Sequence, residues 1–231
     1  MELSRRLYAV AELVDTCESM ADIGTDHGYI PIFLVEQKRV DYAIAMDVRT
    51  GPLERAREHI KQHGLDEYID LRLSDGAEKL AQREVQAVVI AGMGGKLMAK
   101  IIDSSREVFS GLSFFVLQPQ SEHGYVRRFL EKQGFRIVKE NMVKEDGKFY
   151  PMMKVTTGES RLGKACFYEY GKELLTEKNP VLEEYLQKEN ATYHKILQKL
   201  KAGESQSQRE RIQEIEQCLC INQEALCYYK D

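Results

Sequence analysis

Between Met20 and Tyr29 an apolar run, Met20-Ala-Asp-Ile23, breaks at Gly24-Thr-Asp-His-Gly28 and resumes with helical spacing from Tyr29 onward. A parallel strand that ends in glycine brings bare backbone close to a ligand, and the helix behind it turns free N–H groups toward whatever sits there. Such a turn restricts the chain to an open α/β sheet that binds at the carboxyl ends of its strands. A structural tight turn is the plain alternative.

The residues inside the turn narrow the ligand. In the dinucleotide form, Gly-x-Gly-x-x-Gly, a pyrophosphate rests on the helix, whereas here Gly24 and Gly28 bracket Thr25, Asp26 and His27. A carboxylate at Asp26, beside the positive end of a helix, repels a pyrophosphate and suits a cation. S-adenosylmethionine carries a sulfonium and no phosphate, so the turn points to a methyl donor ahead of NAD, with Asp22, Gly24, Thr25 and His27 around it.

The rest of the first part alternates strand and helix. Apolar residues at Leu7, Val10, Ala11 and Val14 have helical spacing within Leu3 to Val14. Strands are expected at Ser19 to Ile23, Asp41 to Met46, Tyr68 to Leu73, Val85 to Ala91 and Ser113 to Leu117. Helices are expected at Gly28 to Val35, Gly51 to His63, Gly95 to Ile102 and Tyr125 to Gln133, with Pro52 suited to a first helical turn. Phe135 to Val143 and Phe149 to Thr156 form a final hairpin around Glu145-Asp-Gly-Lys148. A Rossmann-like sheet that closes on a hairpin is the class I methyltransferase pattern, and it occupies residues 1–158.

Residues 159–231 change character. Asn179 caps and Pro180 opens a helix with Leu182, Leu186, Tyr193, Ile196, Leu197 and Leu200 on one stripe. After a polar turn at Ala202 to Ser207, a second helix carries Ile212, Ile215, Leu219, Asn222 and Leu226 at heptad-like steps. Two such helices predict an antiparallel coiled-coil appendage, serving either as a stabilising or dimerising element or as a substrate-gripping arm.

Candidate site residues lie after the strands. Asp47 stands 23 residues beyond Gly24, close to the spacing of an acid that accepts both ribose hydroxyls, with Val48 beside it. Ser74-Asp75-Gly76 is placed to hold an adenine amino group and ring nitrogen, or is simply a turn. Ala91-Gly92-Met93-Gly94-Gly95 leaves little side chain where donor and acceptor meet, and the (Asn/Asp)-Pro-Pro-aromatic element usual in methylation of exocyclic amino groups is missing there. Gln118-Pro119-Gln120 offers amides to a base edge.

As a set, these segments resemble the bacterial tRNA (adenine-22-N1)-methyltransferases. The similarity rests on Ala21-Asp-Ile-Gly-Thr-Asp-His-Gly-Tyr-Ile-Pro31, Asp47-Val-Arg-Thr-Gly-Pro-Leu53, Ser74-Asp-Gly76, Ile90-Ala-Gly-Met-Gly-Gly95, Leu117-Gln-Pro119, Glu145-Asp-Gly-Lys-Phe-Tyr150 and Lys178-Asn-Pro180. Gln120 departs from the family's more frequent asparagine, and Gly28 stands where other members have alanine. The resemblance implies methyl transfer to adenine N1 in the tRNA D-arm, with the helical tail helping to hold the RNA. Adenine N1 already has an in-plane lone pair and needs no strong base. Charge moves from sulfonium to adenine, so a carboxylate near N1 or the 6-amino group would stabilise the transition state, and Asp26 is the candidate catalytic residue. His27 either donates a hydrogen bond or fills the turn, and Tyr29 either stacks on a base or packs.

Composition adds few constraints. Of 231 residues, 43% are hydrophobic and 30% charged, as in a globular protein, with no apolar run of membrane-spanning length and no signal-like start; a cytoplasmic location follows. Five cysteines lack metal spacing and read as free thiols, with no metal and no protein partner implied. The net charge of −4 is spread over both parts, so tRNA contacts need local basic residues. Lys96 and Lys100 behind the glycine loop and Arg127 and Arg128 within His123 to Lys148 are the candidates. Methylation of a small molecule or protein, and a non-catalytic coiled-coil adaptor, are the competing readings.

Overall fold

The computed structural model describes residues 1–200 and 206–230, and the chain divides into two compact units, Met1–Arg161 and Leu162–Asp231. In the first unit the elements run α1 (Arg5–Glu12), β1 (Cys17–Ile23), α2 (Tyr29–Glu36), β2 (Val40–Asp47), α3 (Thr50–Gln62), β3 (Ile69–Leu73), β4 (Ala87–Met93), α4 (Gly95–Ser104), α5 (Arg106–Ser110), β5 (Phe114–Pro119), α6 (His123–Lys132), β6 (Phe135–Glu145) and β7 (Lys148–Thr157). The seven strands form one sheet in the order β3-β2-β1-β4-β5-β7-β6. The first five are parallel; β7 runs antiparallel to β5 and pairs with β6 as the expected hairpin. This is the Rossmann-like methyltransferase sheet.

Alternation along the strands builds two cores. Ala21, Ile23, Ile44, Met46, Val88, Ile90, Phe115 and Leu117 face one side and pack with Met98, Ile102, Phe109, Val126 and Leu130 from α4, α5 and α6. Met20, Ala43, Ala45, Ala87, Val89, Phe114 and Val116 face the other, against Val10, Ile32, Leu34, Ala56 and Ile60 from α1, α2 and α3. With both faces covered, these central strands are near-continuous apolar runs, as their sequences show.

Strand β1 lies between β2 and β4, so the chain reverses its direction across the sheet there, and a crevice opens at the carboxyl ends of these strands. Strand β4 extends beyond the expected Ala91, with a register irregularity between Ala91 and Met93. That shift carries Gly92 and Met93 into the wall of the crevice. Helix α5 escaped the pattern reading because its five residues span too little to display a period.

In the second unit α7 (Ala165–Tyr170) and α8 (Lys172–Thr176), neither expected, precede α9 (Pro180–Leu200), α10 (Gln206–Leu226) and a short 3-10 turn (Cys227–Tyr229). Asn179 Oδ1 accepts from the amides of Val181 and Leu182 at 3.0 and 3.1 Å, the cap expected before Pro180. Most of the polar turn expected at Ala202 to Ser207 lies outside the described residues, and Gln206 already belongs to α10. The two long helices run antiparallel: Asn222 Nδ2 donates to the Leu186 carbonyl at 3.1 Å, and the Tyr229 hydroxyl to the Asn179 carbonyl at 2.9 Å. Asn222 is fully buried and also takes a bond from Asn190, while Glu189 accepts from the hydroxyls of Tyr170 and Tyr185 at 2.6 and 2.9 Å. Burial and the Glu189 charge push both phenols far above their ordinary range.

Arg127 requires a correction. Its guanidinium is buried on the inner face of α6, where Nε and Nη2 donate to Glu140 Oε1 of β6 at 2.9 and 2.8 Å. It is a structural cation and cannot reach a phosphate. Removing one partner of such a pair strands a buried charge. Glu140→Ala should therefore cost about 3–5 kcal/mol in urea unfolding, while Arg127→Met combined with Glu140→Leu should recover most of that loss.

Candidate functional site

At the crevice, the carboxyl ends of β1, β2 and β4 surround a cavity of about 410 Å3. Asp22, Gly24, Asp26, Tyr29 and Ile30 line it from the first turn, Asp47 and Arg49 from the end of β2, and Ala91, Gly92 and Met93 from β4. Arg6 and Leu7 of α1 and Gln120 beyond β5 complete the wall. The volume falls in the range of small-molecule sites, about 300–1,000 Å3.

The turn is held by one acceptor: the amides of Gly24 and Thr25 both donate to the Met46 carbonyl at 2.8 Å. Gly24 has φ +78°, and a Cβ there would overlap the methyl of Met93. Thr25 is buried beneath the cavity rather than lining it. His27, also off the lining, adopts φ 65°, and its ring stacks at 5.1 Å on Tyr29 and at 5.3 Å on His59 of α3. Its Nδ1 is buried without a hydrogen-bond partner, while the His27 carbonyl lies 3.0 Å from His59 Nδ1. Tyr29 packs on the two histidines, as one of its two expected roles had it, and also borders the cavity.

Three carboxylates of different character meet here. Asp47 is 7% exposed, and its Oδ1 accepts from the Arg49 amide at 2.8 Å. Asp22 is 5% exposed at the end of β1; burial pushes its carboxyl up to about 6, with the Thr25 hydroxyl opposing the rise and the Asp47 charge adding to it. Asp26 is 68% exposed and pairs with Arg55 Nη2 at 3.0 Å. Exposure and the Arg55 partner thus already accommodate that charge.

Several other expected residues do not line the cavity. Val48 is exposed and is not part of the lining. Ser74 is buried; its hydroxyl donates to the Gly76 carbonyl and accepts the Lys79 amide, both at 3.2 Å, so it shapes the β3 turn. Gly76 lies against Ile101, and Asp75 is exposed. Gln118 is completely buried, and the expected reading of a base edge by its amide is corrected: Oε1 accepts from Arg6 Nη1 at 2.9 Å and Nε2 donates to the Pro119 carbonyl at 3.1 Å. Pro119 is likewise buried. Gln120, one residue further on, is the amide that lines the cavity. Lys96, Lys100 and Arg128 are exposed outside it, with Lys96 tied to Glu122 at 2.8 Å.

Sequence reading missed Arg6, Leu7, Ile30 and Arg49. Arg49 flanks the Asp47 carboxylate at 3.7 Å, a pairing that its place two residues after the acid could have suggested. Among the described residues no cluster suits a metal, all five cysteines are free, and no helix is long and apolar enough to cross a membrane.

A methyltransferase-domain family model matches residues 3–153. The tRNA (adenine(22)-N(1))-methyltransferase of Bacillus subtilis is 30% identical over 224 residues, 93% of each chain. The crystal structure of the B. subtilis m1A22 tRNA methyltransferase TrmK superposes with a TM-score of 0.88 at 28% identity, covering 97% of this chain and 99% of that one. M. capricolum TrmK, solved with S-adenosylhomocysteine, does so with a TM-score of 0.87 at 25% identity over all of both chains. Fold and cavity thus define an S-adenosylmethionine-dependent methyltransferase. The chain belongs to the bacterial tRNA (adenine-22-N1)-methyltransferase family.

The cavity has the features such a donor needs: bare backbone at Gly24 and Gly92, a second carboxylate oxygen of Asp47 with no side-chain or backbone partner among the described residues, and the buried Asp22 carboxyl. The raised Asp22 carboxyl has a pH consequence. Between its ordinary value near 3.8 and about 6 the folded protein holds a proton that the unfolded chain releases. Stability without donor should rise as pH falls through about 6, and Asp22→Asn should remove that dependence and raise the melting temperature at pH 7. Donor binding should run the other way, weakening below about pH 6, as thermal melts and calorimetry between about pH 5 and 8 would register.

Proposed function

We propose that the cavity binds S-adenosylmethionine and that the protein methylates N1 of adenine 22 in the D-arm of tRNA. The carrying observation is the convergence of Asp22, Asp26 and Asp47 with the bare backbone of Gly24 and Gly92 on one cavity at the switch point of the sheet. When bound, S-adenosylmethionine supplies the methyl group and leaves as a neutral thioether. Asp47 accepts hydrogen bonds from the ribose, and Asp22 offsets the donor's positive charge from below. Gly92 keeps the passage between donor and acceptor clear.

On the acceptor side the target base must leave its stack before N1 is reachable. Tyr29, backed by His27 and His59, offers a ring face at the cavity wall, and Gln120 offers an amide. Asp26 stabilises the adenine as it becomes cationic, and Arg55 holds the carboxylate in position at 3.0 Å, the full effect developing as bound reactants exclude water from the pair. In-line alignment supplies most of the acceleration. Lys96, Lys100 and Arg128 contribute phosphate contacts outside the cavity, and the helical unit, read as a coiled-coil arm, grips the tRNA. The protein works in the cytoplasm.

Two measurements test these roles. Asp26→Asn keeps size and hydrogen bonding but deletes the charge, so single-turnover methylation should slow by roughly 10²-fold or more with little loss of donor affinity. Collapse of donor binding with a normal rate at saturation would instead make Asp26 a donor ligand. Truncation after Arg161 should preserve donor binding by calorimetry and abolish most tRNA methylation, and full turnover by the truncated form would reduce the tail to a structural role.

A further inference from the structure

Two large side chains near the cavity stand in solvent. Leu97, in the first turn of α4, is 48% exposed, and Tyr125, in the first turn of α6, is 46% exposed. A single exposed apolar side chain needs no explanation, but these two sit on helix ends that touch. Gly95 opens α4 so close to the chain entering α6 that a Cβ there would lie 2.6 Å from the Ser121 carbonyl oxygen and 2.7 Å from a Val126 methyl. Lys96 then ties the two ends together: its amide donates to Glu122 Oε2 at 3.2 Å, and its ammonium lies 2.8 Å from Glu122 Oε1.

Both first turns rise from the edge of the sheet that holds the cavity. The chain enters α4 from Met93 and approaches α6 from Gln120, two residues of the cavity wall that are themselves joined, the Gln120 amide donating to the Met93 carbonyl at 2.9 Å. On the exposed face of each helix a cation follows about one turn later, Lys100 after Leu97 and Arg128 after Tyr125. Apolar or aromatic surface with a cation one turn away is how proteins hold unpaired nucleotides, the ring taking a base and the cation a phosphate. The core of a protein-docking patch is instead depleted in lysine.

We infer that Tyr125, with Leu97 on the adjoining helix, forms a stacking platform for an unpaired nucleobase next to the target adenine. This rests on the tRNA reading above. Withdrawing the target adenine from its stack bares a ring face of its neighbour, and a tyrosine on the cavity rim replaces the lost stacking partner. Tyr29 borders the cavity and faces the target base, whereas Tyr125 stands outside it, so the two rings serve neighbouring nucleotides of one strand.

The chain contains no tryptophan, so Tyr125→Trp in the full-length protein introduces a single indole at the platform. Its emission should be quenched by unmodified tRNA and left unchanged by S-adenosylmethionine alone. In steady-state methylation, Tyr125→Ala should raise KM for tRNA by roughly 5- to 100-fold, the range for one lost base–aromatic stack, with kcat and donor affinity held. Tyr125→Phe keeps the ring and should restore the KM, and because no charge is removed the salt dependence of tRNA binding should keep its slope in both variants. An unchanged KM in Tyr125→Ala, a Tyr125→Phe variant as weak as Tyr125→Ala, or tryptophan emission indifferent to tRNA overturns the inference. Failure of the unsubstituted protein to methylate tRNA would instead remove the tRNA reading itself, which keeps the two failures apart.

Discussion

The Met46 carbonyl accepts two amides at 2.8 Å, from Gly24 and from Thr25, and the geometry of the crevice depends on that bond pair. It continues the β1 to β2 ladder by one step past the last strand residue and then stops it, because one oxygen serves two successive donors. The chain is thereby forced to turn at Gly24, with positive φ, directly over the end of β2. Asp22, Asp26 and Asp47 face one cavity as a consequence of that turn. The Met93 methyl closes the far side, where a Cβ on Gly24 would sit, so the β4 loop and the first turn are mutually fitted.

Apolar pattern and turn chemistry conveyed the sheet because buried parallel strands leave long apolar runs, and glycine or aspartate marks where each one ends. Asp22, Gly24, Asp26, Asp47, Gly92 and Met93 were legible for that reason, since each ends a strand or lies in the turn just after one, at the edge where α/β sheets bind ligands. Arg6 was not legible. It sits in an amphipathic helix before the first strand, and helical periodicity reports which face packs, not which end of the helix overhangs a crevice. Arg127 failed in the opposite sense: counting basic residues in His123 to Lys148 cannot tell the solvent face of α6 from the face that meets Glu140. Gln118 and Gln120 differ only through the bend at Pro119, which sends one amide inward and leaves the other at the cavity.

The second unit shows a different economy. Its two long helices bury Leu182, Leu186, Leu197 and Ile215, an apolar seam that alone would tolerate sliding by a turn. Asn222, buried among those residues, bonds to the Leu186 carbonyl, to Asn190 and to Glu189, and each of those bonds is lost if the helices shift. A buried amide of this kind sacrifices some hydrophobic stability and specifies one register. The Tyr170 and Tyr185 hydroxyls extend the constraint to α7 and the start of α9 through the same Glu189 carboxylate.

Electrostatically, the cavity is neither simply acidic nor simply basic. Asp47 is flanked by Arg49 and Asp26 by Arg55, so those two acids carry local compensation at 3.7 and 3.0 Å. Asp22 and Arg6 remain, one at the end of β1 and the other on α1, each without an oppositely charged side chain among the described contacts. Burial raises the Asp22 carboxyl to about 6, which means that its charge at neutral pH is held against desolvation. A ligand that brings positive charge to Asp22 relieves that cost. Two unmatched charges of opposite sign thus stand on different walls of one cavity, and it is their placement, set by the end of β1 and by α1, that distinguishes this crevice from a uniformly charged cleft.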